Sequence, residues 1–173
     1  KLLDKGTFPG ALGSMHLHTM AAKTWSFKYA GSEEFKAIMK QVVINSRCLA
    51  SELESYGFRI VSGGTDNHLL VADLRGKKIT GQVFQEALDS IGITVNKNMI
   101  PFDPESPAVT SGVRIGLTAV TQRGLKEAEI KQIANIMNKV ADAPQDEDNL
   151  ANCKAEARKL IANFPLYPAG SFE

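Results

Sequence analysis

What this chain has little of narrows its chemistry first. It holds two cysteines, Cys48 and Cys153, far apart and with no further Cys or His beside either at metal-ligand spacing. Neither a disulfide framework nor a zinc site is indicated, and both thiols are expected to be buried or half-buried. Charge of one sign is missing too. The 20 basic residues face 19 acidic ones, a net charge of +1, which offers no polyelectrolyte surface to a nucleic acid or a membrane. No apolar run approaches the roughly 18 residues needed to cross a bilayer. The opening Lys1-Leu2-Leu3-Asp4-Lys5 is too short and too charged for a secretory signal. These absences read as a soluble, cytoplasmic protein with no nucleic-acid or membrane partner. The first residue is not methionine and the pattern opens in mid-course, which reads as a fragment of a longer chain.

What is present is enough for a folded domain: 173 residues, 43% hydrophobic and 23% charged, a balance that favours a packed core over disorder. Residues 6–14, Gly-Thr-Phe-Pro-Gly-Ala-Leu-Gly-Ser, read as a loop. A helix is expected over 15–29, with Gly31-Ser32-Glu33-Glu34 as its stop and the next N-cap. From Phe35, apolar Ile38, Met39, Val42, Val43, Leu49, Ala50, Leu53 and Tyr56 keep helical spacing to Gly57. Glu34, Lys36, Lys40, Asn45, Arg47, Glu52 and Glu54 take the other side. A helix of about 20 residues spans roughly 30 Å and suits a connector. Strands are expected at 58–61, 68–74, 93–95 and 112–116, and helices after the Thr80 N-cap, over 126–140 and from about 150 to 163. Residues 96–111 carry three prolines and read as a long loop of the kind that is often functional. The mixture favours an α+β or α/β fold, an antiparallel or mixed sheet covered by helices.

Four places draw attention as chemistry. His16-Leu17-His18, if helical, would point the two imidazoles about 200° apart, unable to share a metal; no metal site is expected. His68 follows a turn into a strand and suits a structural hydrogen bond. The Gly10–Ser14 stretch before a helix could offer backbone N–H groups to a phosphate. Arg114, between Val113 and Ile115 in a short apolar strand, reads as a buried guanidinium in need of an anion. A structural salt bridge and a ligand carboxylate both answer that need.

Several stretches, in this order, resemble one family. Val61-Ser62-Gly63-Gly64-Thr65-Asp66-Asn67-His68, Thr94-Val95-Asn96-Lys97-Asn98, Val109-Thr110-Ser111-Gly112-Val113-Arg114-Ile115-Gly116, Ala119-Val120-Thr121-Gln122-Arg123-Gly124 and the closing Phe164-Pro165-Leu166-Tyr167-Pro168 look like segments of serine hydroxymethyltransferase. The likeness runs from Phe8 to Pro168. It implies the C-terminal part of a fold type I pyridoxal-phosphate enzyme: residues 1–30 ending the large cofactor-binding domain, 31–57 a long connecting helix, and 58–173 the small α/β domain. It implies serine and glycine as substrates, pyridoxal 5'-phosphate as cofactor, tetrahydrofolate as one-carbon acceptor, and a homodimer or tetramer.

By the same resemblance, Arg114 takes the place of the arginine that binds the substrate carboxylate. Asn98 matches a folate contact, and Phe8 an aromatic lining the folate site. Gly13 and Ser14 fall where the family has two glycines whose backbone reaches the cofactor phosphate of the neighbouring subunit. Departures are Ser14 for glycine, Leu12 for glutamine, Gly116-Leu117-Thr118 for Gly-Thr-Pro, and Phe102 where a smaller or polar residue is common. No segment resembles the Thr-rich one that carries the cofactor lysine, so no catalytic residue is assigned and the chain is expected to be inactive alone, with a missing N-terminal catalytic part as its partner. A folate-independent β-hydroxy amino acid aldolase or transaldolase, and a non-catalytic assembly module, are the alternatives.

Overall fold

The computed structural model describes residues 1–167. Pro168, the last residue of the closing segment, and the final residues of the 58–173 stretch lie outside them. Contacts divide the chain into two compact units, Lys1–Ala37 and a second from Ile38 onward.

The first unit holds a short helix α1 (Leu2–Lys5), an irregular turn through Gly6–Ala11, helix α2 (Leu17–Ala30) and the start of α3 (Glu33–Ser55). Ser32 caps α3 by accepting the Phe35 N–H at 3.1 Å, as a serine ahead of two acids should. The unit buries no residue of α1 or α2. Trp25 and Tyr29, one turn apart, stack at 5.4 Å.

In the second unit α3 supplies Val42, Leu49, Ala50 and Leu53 to the core, the face that its apolar spacing marked. Asn45 corrects the expected polar side. It is fully buried, because its amide donates to Thr121 Oγ1 and the Leu125 carbonyl, both at 2.9 Å, and its oxygen accepts from Gln41 at 3.0 Å. A satisfied amide can be buried at little cost.

Among the described residues four antiparallel strands follow: β1 (Arg59–Ile60), β2 (Leu69–Asp73), β3 (Asn96–Asn98) and β4 (Gly112–Gly116), in the order β1-β2-β4-β3. Helices α4 (Gly81–Ile91), α6 (Glu127–Asp142) and α7 (Glu147–Ile161) pack with one face of this sheet, and a short α5 (Thr118–Gln122) follows β4. Ile60, Leu70, Ala72, Val113 and Ile115 meet Leu88, Ile91, Ile130, Met137 and Cys153 in one cluster. Thr80 caps α4 by accepting the Val83 N–H. The strand expected at 93–95 lies three residues later. Pairing decides the point: the β4 register takes Asn96, Lys97 and Asn98 as partners of Arg114, Val113 and Gly112. Val95 is instead buried in the core beside the strand.

Candidate functional site

Strand alternation sorts the sheet residues onto two faces. The register pairs Leu70 with Ile115 and Ala72 with Val113, and these point to the helices. The opposite face carries two rows: Arg59, Asp73, Gly112 and Asn98, and beside it Val71, Arg114 and Asn96. Arg114 and Asn98 therefore share a face as diagonal cross-strand neighbours, about 7–8 Å apart by ordinary sheet geometry.

This overturns the expectation of a buried Arg114. Its apolar neighbours Val113 and Ile115 turn inward, and the guanidinium between them is exposed. Among the described residues it makes no hydrogen bond or ion pair. Arg59 and Arg75, by contrast, both bind the buried carboxylate of Asp73: Arg59 Nη1 donates to Oδ2 at 2.9 Å and Arg75 Nη2 to the same oxygen at 2.8 Å. The Arg75 side chain, helped by the Arg75 N–H and Arg59 and opposed by burial, brings the Asp73 carboxyl down to about 2. Two guanidinia of this region are thus committed to a carboxylate and the third is open. Asn98 is half-buried at the end of β3, its amide donating to the Met99 carbonyl at 2.6 Å.

Between β3 and β4 runs the proline-bearing loop, residues 99–111, closed by one side chain that sequence reasoning missed. Asp103 Oδ2 accepts the N–H of Ile100 at 3.1 Å and of Ser111 at 2.9 Å. Its Oδ1 accepts the Glu105 N–H at 2.9 Å and the Ser111 hydroxyl at 2.7 Å. Burial pushes this carboxyl up, but those four bonds outweigh it and hold it well below the usual carboxylate range. The visible signal was Asp103-Pro104, a turn-initiating pair whose aspartate accepts from the residue two ahead.

The sheet and α4 close on each other where they lack side chains. A Cβ on Gly81 would sit 2.0 Å from Thr110 Oγ1 and 2.4 Å from the Gly112 carbonyl, and one on Gly112 would sit 2.5 Å from Ile100 Cγ2. Phe102 (φ 57°) and Thr110 (φ 60°) are left-handed without being glycine, strain that persists only where neighbours over-determine the backbone. Phe102 is fully exposed.

The other predicted residues lie in the first unit. Phe8 is extended (φ −135°, ψ 127°) inside the Gly6–Ala11 turn and 66% exposed. Gly13 and Ser14 are exposed ahead of α2, neither has a positive φ, and their amides donate to no acceptor among the described residues. The serine is unstrained there. His16 corrects the helical reading of the histidine pair. It precedes α2 in extended conformation, and the two rings lie 5.7 Å apart. Among the described residues no group of three or more His, Cys, Asp or Glu is placed to hold a metal. Among the described residues His68 contributes its carbonyl, which accepts the Leu117 N–H at 2.9 Å, rather than a side-chain bond. A cavity of about 420 Å³, lined by Ile93, Val95, Ile115, Val120, Met137 and Ile161 among others, lies on the helical side and includes none of the predicted site residues. No helix among the described residues is long and apolar enough to cross a membrane.

Comparison with known proteins bears on this arrangement. The family model described as serine hydroxymethyltransferase matches residues 1–137. A serine hydroxymethyltransferase of Myxococcus xanthus (strain DK1622) is 50% identical over 167 residues, which is 96% of this chain and 40% of that protein. The chain therefore spans about 40% of the length of this relative.

Proposed function

The chain belongs to the serine hydroxymethyltransferase family, and from that premise we propose that it is the C-terminal portion of an enzyme interconverting serine and glycine. Tetrahydrofolate is the one-carbon acceptor in this reading and pyridoxal 5'-phosphate the cofactor. Residues 1–30 would end the large domain, 31–57 connect, and 58–173 form the small domain. A cytoplasmic homodimer or tetramer belongs to the same reading.

The observation that carries it is Arg114, the open guanidinium on a sheet face whose neighbouring arginines are both held by Asp73. A planar fork with no hydrogen bond or ion pair among the described residues suits the planar carboxylate of an amino acid, which it can grip through two parallel hydrogen bonds. Holding the carboxylate fixes the substrate's α-carbon and thereby the orientation of the bond to be broken. Asn98, on the same face, offers an amide that can donate to and accept from a folate ring. In the first unit, Phe8 offers an exposed aromatic surface of the kind that can line a folate site.

Gly13 and Ser14 fit the cofactor's phosphate, since neither amide has an acceptor among the described residues and neither φ is positive, a backbone that a serine can adopt. When bound, pyridoxal phosphate supplies the electron sink for cleavage at the α-carbon. No segment here resembles the one carrying its lysine, so the chain is inactive alone in this reading.

Two measurements on the full-length enzyme test the proposal. Glycine release from serine should depend on tetrahydrofolate, and equal rates with and without it would sink the reaction assignment. Arg114→Ala should cost about 2–5 kcal/mol of transition-state binding, a fall of roughly 30-fold to several thousand-fold in kcat/KM, with Arg114→Lys recovering part. The exposed side chain, without a partner among the described residues, should leave the thermal midpoint nearly unchanged. A collapsed midpoint with normal kcat/KM would make Arg114 a structural residue.

A further inference from the structure

Asn98 and Arg114 stand on opposite sides of one loop. Asn98 ends a three-residue edge strand that, among the described residues, is held by its ladder to β4 and by the Lys97 N–H donating to Gln85 Oε1 of α4 at 2.8 Å. Beyond Lys97 this short edge therefore depends on the loop to stay closed. Ile100 follows Asn98 by two residues, and Ser111 precedes Arg114 by three. The Asp103 carboxylate accepts from the backbone of both, at 3.1 and 2.9 Å, through the same oxygen. The far end of the loop is fastened again: the carbonyls of Val109 and Thr110 accept from Gln82 and Gly81, and that of Ser111 from Leu74, each at 2.9 Å. Gly81 and Gly112 leave no room for a Cβ there, so this end of the loop is tightly packed.

We propose that Asp103 is the positioning residue of the site: it ties Ile100 to Ser111 and so keeps the end of β3 paired with β4, preserving the distance and angle between Asn98 and Arg114 that the ladder defines. This rests on the reading of those two residues as folate and carboxylate contacts. Asp103 touches neither ligand. It acts through the two strand ends, so its loss should weaken the binding of both ligands together.

The geometry separates this role from a simple charge effect. An asparagine in place of Asp103, with its amide nitrogen turned to the Oδ1 position, keeps an oxygen facing the Ile100 and Ser111 N–H groups. It also lets the Ser111 hydroxyl rotate to accept, and only the Glu105 N–H goes unmet. Asp103→Asn should therefore behave close to the native enzyme and Asp103→Ala should not. A charge role predicts that the two fail alike.

The test uses the full-length enzyme with Asp103→Ala, Asp103→Asn and, as a destabilised control remote from the loop, Ile91→Val in the core. The alanine variant is expected to raise KM for serine and for tetrahydrofolate together by about 10- to 100-fold, with kcat falling as well because the displaced carboxylate no longer fixes the bond to be broken. The asparagine and Ile91→Val variants should stay within about 3-fold of native in both KM values. Unchanged KM values in Asp103→Ala, or an asparagine variant as impaired as the alanine one, overturn the proposal. Native enzyme that does not use tetrahydrofolate overturns instead the reading on which it rests. Should Asp103→Ala not fold, amide exchange in the native full-length enzyme decides: Ile100 and Ser111 as protected as Val113 support the latch, and free-loop exchange at both refutes it.

Discussion

Replacing Asp73 by asparagine is the sharpest test of how the open sheet face is held together. The Asp73 side chain is 4% exposed, while those of Arg59 and Arg75 are 64% and 50% exposed. The carboxylate is therefore the desolvated member, and the guanidinia regain water easily if it is neutralised. Its oxygens accept from Arg75 N at 3.0 Å, Arg75 Nε at 3.0 and 3.2 Å, Arg75 Nη2 at 2.8 Å and Arg59 Nη1 at 2.9 Å. These bring the carboxyl from 3.8 to about 2. At about 1.4 kcal/mol per pKa unit, the charged form contributes about 2 kcal/mol. Because the folded value lies below the unfolded one, that contribution is complete above the unfolded pKa of about 4 and is lost as pH falls toward 2. Asp73→Asn should accordingly lower stability by about 2 kcal/mol at pH 7, or roughly 4–8 °C in Tm for a chain of this size. Urea titrations of native and variant chains at a series of pH values from 7 to 2 would measure it. Their difference cancels the other carboxylates and should shrink steadily below pH 4. A variant as stable as native at pH 7, or a difference that does not move with pH, refutes the reasoning.

Phe102→Asn should raise Tm, because the left-handed backbone (φ 57°) costs a bulky residue about 1–2 kcal/mol that asparagine largely avoids, and the fully exposed ring gives up no packing; a lower Tm argues that the ring is bound somewhere. Gly112→Ala should destabilise by about 1–3 kcal/mol or more, since the new Cβ would lie 2.5 Å from Ile100 Cγ2 and 2.8 Å from the Asn98 carbonyl, and a neutral result in thermal unfolding would contradict the close approach. The Cys153 thiol is 1% exposed, and burial foremost, then Glu156, pushes its pKa up; a thiol-reactive disulfide reagent at pH 8 should modify Cys48 first and Cys153 only in urea, and equal rates in the native chain would show the core to be open.

Much of this protein was legible from residue order because local rules decide it. Ser32 and Thr80 cap helices since a hydroxyl ahead of a free N–H does so in most contexts. The apolar spacing of α3 picks out Val42, Leu49, Ala50 and Leu53 because a helix can bury only one stripe. The signature segments carry the family in the same direct way. Other features were decided by residues far apart in sequence. Asn45 reads as polar surface until Thr121 and Leu125 arrive to satisfy it. Residues 93–95 have strand composition, yet pairing energy from β4 selects 96–98. Asp103 looks like an ordinary turn residue, and only closure of the loop brings Ile100 and Ser111 to the same carboxylate. Arg114 shows the division most plainly. Its identity and apolar flanks are in the sequence, but whether a strand residue points to the core or to solvent is fixed by which face the helices cover, and that choice belongs to the packed sheet.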